Sequence, residues 1–224
     1  MNANPRGRAP ETERPVGVAL AGGRSRRLGL DKATLPVREL GLRRAGDLLD
    51  WTLHRLAARC EDVLLAGGDR APRAGAFSVP DGPGRGPAAG ILGAARARPG
   101  RRLLVLACDL PRVPVALLDL LIERAARGGD LTVPESPVEG SAPRLEPLCA
   151  VYSPPALDLL EARVSEGAFD LQGLGHAPGL RVQRLKPPDY ETLGLPTEIF
   201  RNLNRPDDLA ALRQSLLQRR SARQ

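Results

Sequence analysis

The sequence predicts an α/β fold with a mostly parallel, twisted sheet flanked by helices. Two observations predict it. Short, uniformly apolar runs, such as Val16–Leu20 and Leu103–Ala107, alternate with segments of helical periodicity through residue 133, the pattern of strands buried on both faces and joined by right-handed helical crossovers. Gly- and Pro-rich breaks separate the two kinds of segment. In such a sheet ligands bind at the carboxyl ends of the strands. The loops after Leu20, Ala66, Val79 and Ala107 should therefore share one edge.

Residues 1–14 are polar and read as a disordered leader, with a single domain over 15–224. Val16–Leu20 is the first buried strand and stops at Ala21-Gly22-Gly23. Charged residues dominate 24–44, which read as loop with a helical turn. From Asp47 to Cys60 the spacing of Leu49, Leu53, Leu56 and Cys60 is helical. Val63–Ala66 is a second strand, stopped by Gly67-Gly68, and a short third strand lies around 76–79. The run 81–87 is loop, and a helix follows over 88–97. Leu103–Ala107 is the clearest buried strand. A helix spans 115–127 and is closed by Gly128-Gly129. Further strands are expected at 131–133, 148–152 and 181–185, with a helix over about 155–164. Pro206-Asp207-Asp208 opens a last helix, with acids at its positive end.

Composition narrows the function classes. The chain has 224 residues, with 24 Gly and 22 Pro, a share close to low-complexity sequence, yet 42% of residues are hydrophobic and supply a core. No Gly-X-Y period exists, which excludes collagen. No apolar run reaches the roughly 20 residues a membrane span needs, and the first residues lack the apolar stretch of a secretory signal. Cys60, Cys108 and Cys149 are odd in number and widely spaced, which argues against a disulfide framework or zinc site and for a reducing, cytoplasmic setting. The net charge is +7, and all the basic residues are arginine except Lys32 and Lys186. A nucleic-acid binder is one reading of that charge. An arginine-favouring compositional bias accounts for it better, because the arginines are scattered and aromatics make up only 3%, too few for a stacking platform. A lysine in such a chain is then more informative than an arginine.

The chemistry sits in the loops. The segment Leu20-Ala21-Gly22-Gly23-Arg24-Ser25-Arg26-Arg27-Leu28-Gly29-Leu30-Asp31-Lys32 fits neither G-x-G-x-x-G nor the Walker loop. It nonetheless holds the ingredients of a phosphate site: glycines that admit close backbone approach, turn N–H groups, and donors on Ser25, Arg27 and Lys32. Asp109, in Cys108-Asp109-Leu110-Pro111, follows the best strand, where a carboxylate is well placed to hold Mg²⁺ or simply to cap the turn. Asp81 precedes Gly86-Pro87-Ala88-Ala89-Gly90-Ile91. Glu146-Pro147-Leu148-Cys149-Ala150-Val151-Tyr152 reads as a strand with a polar entry. Asn202 and Asn204, in Asn202-Leu203-Asn204-Arg205-Pro206-Asp207-Asp208-Leu209, alternate along an extended segment and so face one way; Asn204 also stands where it can cap the last helix. His54, His176 and Cys108 suggest no covalent catalysis.

Together these segments resemble one family. L-A-G-G-x-S-x-R-[M/L]-G-x-D-K is the signature of the molybdenum-cofactor guanylyltransferases, nucleotidyltransferases of three-layer Rossmann-like fold, and Lys32 falls on its lysine while Leu28 replaces the usual methionine. The remaining segments are similar to the family's C-D-x-P, D-x(n)-G-P-[LA]-A-G-[IM], [HEQ]-P-L-x-A-x-[YV] and N-[IVL]-N-T-P-E-D-L, in family order. One departure is Ala66-Gly67-Gly68, where the family often has a polar residue, typically Asn, near the nucleoside. The resemblance implies a Mg²⁺-dependent enzyme that transfers GMP from GTP to molybdopterin with release of pyrophosphate. It implies nucleotide contacts at Leu20, Ala21, Gly22, Gly23, Ser25, Lys32, Asp81 and Asp109. Lys32, Arg27 and Asp109 would act on the reacting phosphates, Asn202, Asn204 and Pro147 would meet the second substrate, and Asp109 with Asn204 would hold the metal. Molybdoenzymes or cofactor-insertion proteins would be downstream partners, with no role for nucleic acid or membrane. The related cytidylyltransferases read L-A-A-G, so Gly22 favours guanine by leaving room for a purine. A CTP-using relative, a sugar-phosphate nucleotidyltransferase and a non-catalytic nucleotide-binding homologue remain alternatives.

Overall fold

The structure is a computed structural model that describes residues 14–22, 31–40, 46–68, 73, 75–138, 140–191, 193 and 197–200. Its strands are β1 (Val16–Leu20), β2 (Val63–Ala66), β3 (Phe77–Ser78), β4 (Leu103–Ala107), β5 (Leu131–Val138), β6 (Ser141–Leu145), β7 (Cys149–Tyr152) and β8 (Val182–Leu185). Its helices are α1 (Leu48–Ala57), α2 (Pro87–Ala97), α3 (Val115–Ala126), α4 (Pro154–Ser165), α5 (Leu171–Leu174) and α6 (Pro187–Glu191). The strands form one sheet in the order β3-β2-β1-β4-β7-β5, with β6 and β8 also paired to β5. β1 is parallel to both β2 and β4, β2 to β3, and β5 to β8.

Every residue of β1, β2, β4 and β7 is buried, which is why these strands read as unbroken apolar runs rather than as alternating ones. Each fully buried leucine among them, such as Leu64, Leu103 or Leu104, contributes about 1.5–3 kcal/mol relative to exposure. Helix α1 turns Leu49, Leu53 and Leu56 inward, and Cys60 is buried just beyond its end. Its start is a capping box: Asp47 Oδ1 accepts from the Asp50 N–H (2.9 Å) and Asp50 Oδ2 accepts from the Asp47 N–H (3.2 Å). Arg73 then clamps both carboxylates, at 2.7 Å and 3.4 Å.

The sequence pattern misses the turn of the chain beyond residue 133. β5 runs five residues further than expected, to Val138, and returns through β6 into β7. β7 pairs antiparallel with both β4 and β5 and fills the place between them. The return arm is antiparallel because it is the second half of a hairpin. Its exposed, proline-containing residues Ser141–Arg144 carry neither an apolar run nor a period of two, so nothing in the sequence marks them as strand.

Much of the arginine excess is absorbed by ion pairs spread over the surface: Arg59–Asp119, Arg96–Glu161, Arg98–Asp62, Arg101–Glu61 and Arg124–Asp189. No helix among the described residues is long and apolar enough to cross a membrane. The three cysteines are buried and form no disulfide, and burial pushes the thiols of Cys60 and Cys149 up to about 12.

Asp130 ties three strands together. Its carboxylate accepts from the Arg181 backbone N–H (2.9 Å) and from the Arg181 guanidinium at 2.9 and 3.2 Å, while its carbonyl accepts from the Ser153 N–H and hydroxyl, both at 2.8 Å. The Arg181 bonds hold the carboxyl below its ordinary value. A depressed carboxylate stabilises the fold above its unfolded pKa and loses that contribution as pH falls. Asp130→Asn is therefore expected to be less stable than the parent at neutral pH and to lose stability less steeply between about pH 5 and pH 3, as read by urea unfolding across that range.

Candidate active site

The predicted loops come together along the carboxyl edge of the sheet. The Ala21 N–H donates to the Ala66 carbonyl (2.9 Å), the Cys108 N–H to the Leu20 carbonyl (3.0 Å), and the Ala107 N–H to the Leu148 carbonyl (2.9 Å). These bonds continue the strand ladder past the strand ends. They set Gly67, Ala21-Gly22, Cys108-Asp109 and Glu146–Leu148 side by side, each about one strand spacing, roughly 4.8 Å, from the next. Because β7 runs antiparallel, the entry to β7 reaches the same edge as the exits of β1, β2 and β4.

Two close backbone approaches shape this edge. A Cβ at Gly22 would lie 2.8 Å from Gly67 Cα and 2.9 Å from the Gly67 carbonyl oxygen; a Cβ at Gly67, where φ is +93°, would lie 2.6 Å from the Gly22 nitrogen. A residue with a side chain fits neither position. This accounts for Gly67 where a polar residue was expected. It also changes the meaning of Gly22: the first atoms that would meet an added methyl are protein backbone. The second approach lies at Gly93 of α2, where a Cβ would fall 2.1 Å from the Pro80 carbonyl oxygen. With the Gly82 N–H donating to the Ala89 carbonyl (2.8 Å), the segment 80–82 is pressed onto the first turns of α2. Asp81 is exposed there.

Asp109 is half-buried. Glu146, in the turn that enters β7, accepts a hydrogen bond from the Ser136 hydroxyl at 2.5 Å. Burial raises its carboxyl above the ordinary value, and the negative charge of Asp109 adds to the rise, so two carboxylates on neighbouring loops feel each other. Pro147 is buried, and its carbonyl accepts from the buried Tyr152 hydroxyl (2.8 Å). The tyrosine at the end of the motif thus folds back on the proline near its start and sets the turn that presents Glu146. Glu146 itself carries no role in the sequence reading; the carboxylate at the entry of a β7-like strand was the available signal.

Lys32 opens a short 3₁₀ turn, Lys32–Thr34, and its side chain lies outside the described part. Gly23, Ser25, Arg27, Asn202 and Asn204 lie outside the described residues. Leu20, Ala21, Gly22 and Asp109 are brought together, with the loop of Asp81 packed against α2 beside them.

The sheet order and the convergent loops are those of an open α/β sheet with a ligand-binding carboxyl edge. Residues 17–176 match the MobA-like NTP transferase domain. The chain is 33% identical over 202 residues to a protein of Pelotomaculum thermopropionicum named "Probable molybdenum cofactor guanylyltransferase", covering 88% of this chain and 91% of that one. It is 33% identical over 207 residues to a protein of the same name from Mycobacterium avium, covering 89% and 95%. Its fold matches the crystal structure of molybdopterin-guanine dinucleotide biosynthesis protein A from Archaeoglobus fulgidus with a TM-score of 0.72 and 24% identity, covering 91% and 99%. The chain belongs to the MobA-like NTP transferase family.

The glycine contact is open to a direct test. Gly67→Ala should lower stability by about 2–4 kcal/mol, combining positive-φ strain with a clash against the backbone. Gly68→Ala, at φ +97° with no atom within 4 Å of the added Cβ, should lose only about 1–2 kcal/mol. Urea midpoints of the two variants compare them.

Proposed function

We propose that the protein transfers GMP from GTP to the terminal phosphate of molybdopterin, in a Mg²⁺-dependent reaction that releases pyrophosphate. The observation that carries this reading is the likeness to the named guanylyltransferases over nearly the whole of both chains, with Ala21-Gly22 and Asp109 abreast on one edge.

An oxygen of the pterin phosphate forms a bond to the α-phosphorus of GTP. The bond from that phosphorus to the bridging oxygen breaks, and its electron pair leaves with pyrophosphate. The attacking oxygen is already anionic, so the step needs no general base. What it needs is relief of repulsion between two anions and in-line placement. The Ala21 N–H is already given to the Ala66 carbonyl, so of the backbone donors expected at Ala21 to Gly23 those of Gly22 and Gly23 hold the nucleotide phosphates, with Ser25 as an added donor. Lys32 and Arg27 neutralise charge that develops on the phosphates. Asp81 and the Leu20 strand end take the nucleoside side, while Asn202, Asn204 and the Glu146-Pro147 turn take the pterin side.

The donor chemistry of the edge fits a magnesium ion. Mg²⁺ uses hard oxygen ligands, often one or two carboxylates together with substrate phosphates. The described residues offer Asp109, with Glu146 electrostatically coupled to it, and no cluster of three His, Cys, Asp or Glu side chains. Asp109 and Asn204 would hold the ion, which would supply charge neutralisation between the reacting phosphates. A cytoplasmic setting and delivery of the product to molybdoenzymes or cofactor-insertion proteins belong to the same proposal.

Incubation with Mg²⁺ and each labelled nucleoside triphosphate, with and without molybdopterin, tests it. Label should pass to the pterin from GTP alone. Transfer from CTP would replace the base assignment, and binding without transfer would make the protein a nucleotide carrier. Asp109→Ala should remain folded by circular dichroism while losing transfer; normal turnover would sink the metal assignment.

A further inference from the structure

Arg55 heads the fully buried side chains by size and is only 1% exposed. It lies on α1, outside every sequence motif that suggested function. One guanidinium nitrogen donates to the carbonyls of Val113 (2.6 Å) and Leu110 (3.2 Å), and the other to the Thr52 hydroxyl (3.3 Å). The guanidinium also lies 5.3 Å from the ring centre of Trp51. The Trp51 indole N–H in turn donates to the Pro111 carbonyl (3.1 Å). Two side chains of one helix turn therefore take the carbonyls of residues 110, 111 and 113, the loop that begins directly after Asp109.

The oxygens that Arg55 meets are neutral. Burial lowers its pKa to about 10, so it remains a cation at neutral pH. A buried cation held by neutral groups is costly, and an apolar side chain of similar volume is often as good or better for stability. What the guanidinium supplies beyond volume is a rigid, planar fork of donors that fixes acceptors relative to one another. Here both carbonyl acceptors belong to a single loop, and the third acceptor, the Thr52 hydroxyl, lies on α1 itself.

We propose that Arg55 is a positioning residue for the reaction. With Trp51, it locks the 110–113 loop so that the Asp109 carboxylate is held at the carboxyl edge in its working orientation. This rests on the reading of Asp109 given above, and it adds a determinant on α1 that touches no substrate.

The test compares the intact chain with Arg55→Lys, Trp51→Phe and Asp109→Ala. Lysine keeps the charge but replaces the fork with a point donor. In Arg55→Lys, measured well below its unfolding midpoint, kcat should fall about 10- to 100-fold while the KM for GTP moves less than about threefold, the split expected when a bound reactant is misplaced and not released. Mn²⁺ binding in the presence of GTP, followed by water-proton relaxation, should weaken in parallel. Trp51→Phe keeps the ring beneath Arg55 and loses only the bond to Pro111, so its kcat should fall less than that of Arg55→Lys. An Arg55→Lys protein with a lowered unfolding midpoint but parental kcat and Mn²⁺ affinity would show a purely structural role and overturn the inference. Should that variant not fold, parental kcat in Trp51→Phe overturns it. Full turnover by Asp109→Ala would overturn the reading of Asp109 instead, which keeps the two failures apart.

Discussion

The backbone of Gly22 lies against the backbone of Gly67 so closely that neither residue could carry a Cβ. This contact brings the exits of β1 and β2 together past the end of the sheet. Ala21 keeps its ladder bond to Ala66, so the chain leaves β1 in line and reaches the carboxyl edge before it turns. The same logic recurs one layer out, where Gly93 lets α2 accept the Pro80 carbonyl. A helix that starts at Pro87 is thereby set against the loop that carries Asp81. The edge on which the loops converge is made by the removal of side chains, and its geometry follows from backbone meeting backbone.

Between those glycines and β7 stands the loop of Asp109, which is held differently. Its approach is fixed by ladder bonds on both sides, from Cys108 to Leu20 and from Ala107 to Leu148. Its departure is fixed by Trp51 and Arg55 from α1. The carboxylate thus lies between a segment tied into the sheet and a segment tied to a helix. Helix α1 is itself anchored at its start by the Asp47 capping box and by Arg73. Rigid support on both flanks is what a group acting by placement requires, because small displacements of a reacting partner are expensive in rate.

How much of this was legible in the sequence depends on what each residue's neighbours are. β1, β2 and β4 were legible because burial on both faces leaves an uninterrupted apolar run. The β5–β6 hairpin was not, since Pro134, Pro137 and Pro143 break any strand signal and β6 faces outward. The direction of β7 followed from that missed hairpin. Asp109 and the Leu20-Ala21-Gly22 loop were legible as motif residues, and their adjacency followed from the parallel order. Gly67 could be seen as a departure from pattern, but its reason could not, because the clash that requires it involves Gly22, far away in sequence. Arg55 was invisible for a compositional reason: in a chain this rich in arginine, one buried arginine looks like all the exposed ones. Trp51, the single tryptophan, stood four residues from it and was the available clue.

The charge distribution sharpens the chemical problem of the edge. A chain of net charge +7 presents Asp109 and Glu146 as neighbours where anionic phosphates are proposed to bind. Many arginines of the described surface are engaged with their own carboxylate partners, and the Arg144 charge offsets part of the burden on Glu146. The Glu146 pKa is raised chiefly by burial, with the Asp109 charge adding a smaller push in the same direction. Adding two phosphorylated substrates to this edge increases the imbalance. Under the proposed reading Lys32, Arg27 and a metal ion would offset that charge, and the combination of hard oxygen donors and phosphates is one that suits magnesium. Among the described residues the Asp109 loop is held by the sheet on one side and by Trp51 and Arg55 on the other, so under the proposed reading the orientation of Asp109, and with it the hold of Arg55 on its loop, is where the fold would act on the chemistry.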